Sequence, residues 1–153
     1  MSQKQNGSSI KDLPAFKNLS EKSFQDFLGK CKKLSFTMGQ PISNKGILGQ
    51  NIFLILEGNA RLISEENNQY ITICKFSPGS FIGISSLLRG EAYEEVSAIE
   101  NSQALAIPAE EIVKLYQKEQ SFKEFCNSYF DPSEALSVCE KIISNSPRPD
   151  INL

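Results

Sequence analysis

The stretch from Leu34 to Ile107 constrains the fold more than any other part of the chain. It is a series of short apolar runs broken by glycines and polar turns: "LSFTMGQPIS", "KGILGQNIFLILEGNARLISEENNQYITICKFSPGSF" and "VSAIENSQALAIP". Glu57-Gly58 separates "NIFLIL" from "NARLIS", and "SEENNQ" separates "ARLI" from "YITICKF". No run is long enough for a typical helix, and turn residues recur at even spacing. That pattern predicts short antiparallel strands closed into a barrel or jelly roll. With 153 residues the chain has room for one domain with a real core.

Helical patterns flank this region. Residues 1–12 are polar and read as a frayed tail. In "LSEKSFQDFLGKCKKL", Ser20 is a good N-cap, and Phe24, Phe27, Leu28 and Cys31 fall on one helical face, as core packing requires. Pro108 opens "PAEEIVKLYQKEQ", with acids in the first turn where the helix dipole favours them. "SFKEFCNSYF" and "SEALSVCEKIISN" are two further helical stretches, and residues 147–153 form a Pro-rich, polar linker or end. The expected architecture is mainly β: a double-stranded β-helix or jelly roll (β-roll), with one helix before it and two or three after. Residues 13–118 are expected to form the barrel domain and residues 119–146 the C-terminal helices.

Composition excludes several chemistries. There is no histidine, so neither a Ser-His nor a Cys-His nucleophile pair can form, nor a His-based metal site. The four cysteines, Cys31, Cys74, Cys126 and Cys139, lack C-x-x-C spacing and read as small reduced core residues. Net charge is −2 with no basic block, which argues against nucleic-acid binding. No apolar run approaches the roughly 20 residues of a membrane span, and the polar start has no signal-peptide core. These features predict a cytoplasmic, non-catalytic domain with no cofactor and no metal.

Four segments, in order, resemble the cyclic nucleotide-binding domain family. "LPAFKNLSEKSFQDFL" is similar to the family's opening, and "MGQPISNKGILGQNIFLILEGNARL" to its central strands, with Gly39, Gly46 and Gly58 in place. "SPGSFIGISSLL" resembles the start of its phosphate-binding cassette, and "VSAIENSQALAIPAEEI" its last strands and following helix. The resemblance implies a short helix whose N-terminus faces the cyclic phosphate, an arginine and a hydroxyl near the cassette's end, and a glutamate that accepts from the ribose.

Set on that pattern, Phe81, Ile82 and Gly83 match Phe-x-Gly, while the ribose glutamate position falls on Ile84, followed by Ser85. Counting back from Val96 and Ala98 puts the arginine and hydroxyl positions on Ala92 and Tyr93, the preferred register. An ungapped count from Gly83 puts them on Glu94 and Glu95. Neither register supplies a cation. Arg89 is the only basic residue between Phe81 and Glu100, and Glu91, Glu94, Glu95 and Glu100 crowd the segment. Each carboxylate facing a phosphate costs on the order of a few kcal/mol at intermediate dielectric. The reading is a remnant cassette (Phe81, Gly83, Ile84, Ser85, Arg89, Ala92 and Tyr93) whose frame is kept and whose anion chemistry is gone. Ile84→Glu with Ala92→Arg and Tyr93→Ser is expected to restore some affinity if the preferred register holds.

Four functions compete: a regulatory or interaction module on this fold, a working cyclic nucleotide sensor using Arg89, a winged-helix transcription factor, and a cupin-like enzyme. The third needs roughly 70 more residues with a basic helix, the fourth needs histidines, and neither need is met here. The resemblance also implies a place in a larger protein, since similar degenerate domains stand at the N-terminus of bacterial peptide-exporting ABC transporters. The C-terminal helices are expected to contact a protein partner or an attached domain. They carry two apolar stripes, Phe122, Phe125, Cys126, Tyr129 and Phe130, then Leu136, Cys139, Ile142 and Ile143. If the barrel cannot bury both, homodimerisation is one outcome, with no direct membrane insertion by this segment.

Overall fold

A computed structural model describes residues 10–44, 46, 49–90 and 94–129. Among the described residues, eight strands form two four-stranded antiparallel sheets. β1 (Lys32–Phe36), β8 (Ser102–Pro108), β3 (Asn51–Glu57) and β6 (Phe81–Ile82) make one sheet in that order. β2 (Pro41–Ser43), β7 (Val96–Ala98), β4 (Ala60–Glu66) and β5 (Gln69–Phe76) make the other. Helix α1 (Glu21–Leu28) precedes the strands, α2 (Ile84–Arg89) sits between β6 and β7, and α3 (Ala109–Lys118) and α4 (Gln120–Ser128) follow. This is the expected jelly roll with flanking helices, its strands beginning two residues before Leu34. The third C-terminal stretch, with Phe130, Leu136, Cys139, Ile142 and Ile143, lies outside the described residues, as do Glu91, Ala92 and Tyr93.

The β3 sequence "NIFLILE" is almost continuously apolar because its sheet is buried on both sides. Ile52 and Leu54 point to a helix-side core shared with Phe16, Phe24, Phe27, Leu105, Ile107, Ile112 and Phe122. Ile55 and the half-buried Phe53 face the roll interior, with Phe36, Ile42, Leu62, Phe76, Ile82, Val96 and Ala104. Period-two alternation thus feeds two cores from one strand.

Local chemistry sets the ends. Ser20 Oγ accepts from the Ser23 backbone N–H at 3.1 Å and starts α1, whose Phe24 and Phe27 are buried. Burial of each phenyl ring contributes about 2–3 kcal/mol. Asn67 and Asn68 both take left-handed backbone, the pairing that a two-residue hairpin between β4 and β5 requires.

The β3–β4 turn depends on Gly58. Its φ is +81°, and an added Cβ would lie 2.8 Å from the Asn101 carbonyl oxygen and 2.8 Å from Ser102 Cβ. Gly39 also has positive φ (+84°), but nothing stands within 4 Å of an added Cβ. Gly58→Ala is therefore expected to cost about 3 kcal/mol or more, against about 1 kcal/mol for Gly39→Ala. Urea melts of the two variants measure the difference; equal losses would mean that backbone conformation, and not the close approach, makes Gly58 necessary.

Candidate functional site

The segment expected to cradle a phosphate is built from the turn Ser77–Ser80, strand β6 and helix α2. The turn closes through Ser80 N–H to Ser77 O (2.9 Å), and it is pinned to β3 by Gly79 N–H to Ile55 O (2.9 Å) and Ile55 N–H to Ser80 O (3.0 Å). Gly83 then takes φ +104°, a conformation that no L side chain adopts readily, and starts α2 without a side-chain cap. The Leu87 N–H donates to Gly83 O at 2.9 Å to close the first helical turn.

Each described cassette residue has a definite place. Phe81 is buried on the helix side, with its ring centroid 5.8 Å from that of Phe16, 5.7 Å from Phe125 and 6.3 Å from Tyr129. The Tyr129 hydroxyl donates to the Phe81 carbonyl at 3.0 Å, so the residue after α4 clasps the strand that leads into the cassette. Ile84 is only 1% exposed and belongs to the helix-side core, not to the roll interior. Ser85 and Ser86 are buried. Arg89 is exposed in the last turn of α2, about 7.5 Å along the axis from Ile84. Of the two registers for the arginine, the Glu94/Glu95 positions are described, whereas Ala92 and Tyr93 are not.

Glu94 is the residue whose position the sequence does not announce. Its side chain is 1% exposed, and Ser86 Oγ on α2 lies 3.4 Å from its Oε1. Its backbone carbonyl accepts from Ser43 Oγ at 3.1 Å, and the Ile63 N–H donates to the next carbonyl, that of Glu95, at 2.9 Å. A carboxylate thus lies beside the cassette helix. The cavity next to it, walled by Ser43, Asn51, Ile52, Gly83, Ser86 and Leu87, holds about 110 Å³. Small-molecule sites span roughly 300–1,000 Å³.

Of the two C-terminal stripes that the barrel was expected to be unable to bury together, the first is core over the residues described. Phe122 and Cys126 are buried, and Phe125 and Tyr129 pack against the same cluster. A stripe reads the same in sequence whether its partner is the barrel or another chain; the deciding term is Phe81, which offers α4 both a ring and a carbonyl.

The three described cysteines are free, as expected: Cys126 is buried in the helix-side core, and the half-buried Cys31 and Cys74 pack against the two cores. Burial pushes the Cys31 thiol up to about 12, with the Glu111 carboxylate adding to the shift, and burial alone pushes Cys126 to about 12. Both are protonated near neutral pH and so are weak nucleophiles. Among the described residues, no three His, Cys, Asp or Glu side chains gather as a metal site. No described helix is long and apolar enough to cross a membrane.

Known proteins agree with this architecture. The cyclic nucleotide-binding domain model matches residues 33–119. The cyclic AMP receptor protein of Thermus thermophilus is 29% identical over 111 residues, covering 71% of this chain and 51% of the relative. The chain therefore spans about half the length of that curated relative. In three dimensions it is similar to the catabolite activator protein of Thermus thermophilus (TM-score 0.62, 24% identity, covering 86% of this chain and 59% of that one). It is also similar to the regulatory subunit of a cAMP-independent protein kinase A from Trypanosoma cruzi bound to guanosine (TM-score 0.73, 14% identity, 95% of this chain and 53% of that one). With more than half its length matched by the family model and its strands rolled around two cores, this chain belongs to the cyclic nucleotide-binding domain family.

Proposed function

We propose that the chain is a non-catalytic regulatory or interaction module that keeps the cyclic nucleotide-binding fold without binding a cyclic nucleotide. The observation that carries this reading is Glu94. Its carboxylate is buried at 3.4 Å from Ser86 on the cassette helix, and the ungapped register gives its position to the phosphate-binding arginine. Two further observations support it. The ribose-acid position is filled by Ile84, a core residue. Arg89 stands in the last turn of the six-residue helix, five residues after Ile84 and upstream of the arginine position in either register. The remnant cassette of Phe81, Gly83, Ile84, Ser85, Arg89, Ala92 and Tyr93 then serves as a structural hinge between β6 and β7.

On this reading, residues 13–118 are the ligand-free barrel, and residues 119–146 carry its attachment to a partner or a further domain. A place within a longer protein fits the resemblance to the N-terminal domains of ABC-type peptide or toxin exporters. The second apolar stripe, Leu136, Cys139, Ile142 and Ile143, is the surface proposed for that contact.

Titration calorimetry tests the reading directly. No saturable heat is expected with cyclic AMP or cyclic GMP at ~100 μM ligand, because the missing arginine and the nearby carboxylate together remove several powers of ten in affinity. Saturable micromolar binding of either would restore the sensor reading. A second reading, a sensor of an uncharged small ligand, rests on one observation: the Trypanosoma cruzi neighbour holds guanosine, a nucleoside with no phosphate. Guanosine is therefore the third titrant, and micromolar binding of guanosine alone would select that reading.

A further inference from the structure

We infer that the outer face of the β2-β7-β4-β5 sheet is a second site, one that takes a small organic anion with a flat aromatic body. The hairpin register carries the inference. From the Asn67-Asn68 turn, β4 and β5 pair regularly as far as Ile63↔Thr72, and then the register skips Ile73, so that Leu62 faces Cys74 and Arg61 faces Lys75. Without that bulge, Arg61 would face Cys74, and Lys75 would turn into the roll. With it, Lys75 points outward directly opposite Arg61, and Ser97 of β7 is the neighbour of Arg61 on its other side.

Two cations directly opposite each other across a strand pair repel. Among the described residues, neither Arg61 nor Lys75 has a carboxylate within ion-pair distance. Instead Arg61 donates from Nη1 to Thr72 Oγ1 at 3.1 Å, which holds the guanidinium over the sheet. The pair lines a groove of about 560 Å³, within the range of small-molecule sites. Its walls are apolar and aromatic: Met38, Ile63, Ile99 and Tyr70, the last 59% exposed. Among the described residues Glu95 is the single carboxylate lining it, so the balance of those residues is one net positive charge. Tyr70 lies two residues from Thr72 on the same face, about 7 Å along the strand. An anion on the Arg61–Lys75 pair thus leaves its apolar body reaching toward the Tyr70 ring. The site is separate from the cassette and stands whether or not the cassette binds anything.

Amide chemical-shift titration of the whole chain with phenyl phosphate, run beside inorganic phosphate, tests this. Saturable shifts are expected at Arg61, Thr72, Lys75 and Ser97, with a Kd below ~5 mM at low salt, weakening as salt screens the pair. Inorganic phosphate is expected to bind at least about tenfold more weakly, since it lacks the ring. Lys75→Glu is the discriminating variant. Relief of the cross-strand repulsion is expected to raise Tm by about 1–3 °C while weakening phenyl phosphate at least tenfold. A drop in Tm with this variant would make the pair structural and overturn the site. So would shifts that never saturate by ~20 mM, shifts confined to α2, or binding that Lys75→Glu leaves unchanged. Equal affinity for the two phosphates would overturn the aromatic part.

Discussion

Ile84→Glu is expected to destabilise the chain by about 4 kcal/mol or more, and the protein that remains folded is expected to bind no cyclic nucleotide. Ile84 is 1% exposed in the core that joins β3 and β8 to α3 and α4. Removing the branched side chain forfeits about 2–3 kcal/mol of burial, and a carboxyl in its place adds about 1–3 kcal/mol for a polar group without a hydrogen-bond partner. Ile84→Val, which keeps the chemistry and loses one methylene, is expected to cost only about 1 kcal/mol. Denaturant melts of both variants measure the contrast. The result also bears on the three-substitution graft suggested by the family pattern, because its first member would unfold the cassette before the other two could help. If Ile84→Glu proved as stable as Ile84→Val, the position would be open to a ligand, and the loss of the ribose acid would cease to count against binding.

That graft shows where the sequence could be read and where it could not. The succession of strands was legible because "NIFLIL", "ARLI" and "YITICKF" are short apolar runs, with Glu57-Gly58 and "SEENNQ" marking the turns between them; their order in the two sheets was not. Ser20 announced α1 by the same logic of unpaired helix donors. Which face of a strand or helix a residue serves was harder to read. Ile84 has apolar surroundings on either side of the β1-β8-β3-β6 sheet, and only the path of α2 decides that it joins Phe16 and Phe122. Glu94 was illegible for a different reason: glutamates are solvated by default, and nothing in "AYEEVSA" distinguishes the glutamate that is buried from its neighbour that lines the outer groove. The Arg61–Lys75 opposition depends on one skipped residue, Ile73, which leaves no mark in the hydrophobic pattern.

Phe16 is the residue whose loss is expected to do the most damage. It precedes α1 in a segment of tight turns, held by Phe16 N–H to Leu13 O at 2.9 Å and Leu19 N–H to Phe16 O at 3.0 Å. Its ring is fully buried, with centroids of Phe27 at 5.1 Å, Phe81 at 5.8 Å, Phe24 at 5.9 Å and Phe122 at 6.1 Å. One side chain therefore touches α1, the opening strand of the cassette and α4. Phe→Ala in a sealed core costs about 3–5 kcal/mol, and the lost ring contacts, which do not add independently, place this one at the upper end. A loss near 5 kcal/mol is a third or more of a typical domain's stability and is expected to lower Tm by about 15 °C. Phe16→Leu, which refills most of the volume, is expected to recover at least half of that loss. Native-state hydrogen exchange separates two modes of failure. If the aromatic cluster is one cooperative unit, Phe16→Ala weakens protection in α4 and β6 together with α1. In that case α4 is fixed to the cassette by the packing of Phe81, Phe125 and Tyr129 and by the Tyr129–Phe81 hydrogen bond, and needs no ligand to hold its position. Loss of protection confined to α1, with Tm lowered by less than about 5 °C, would show that α4 is coupled to the barrel by some other route, and an interaction module whose α4 is held without a ligand would no longer follow from this core.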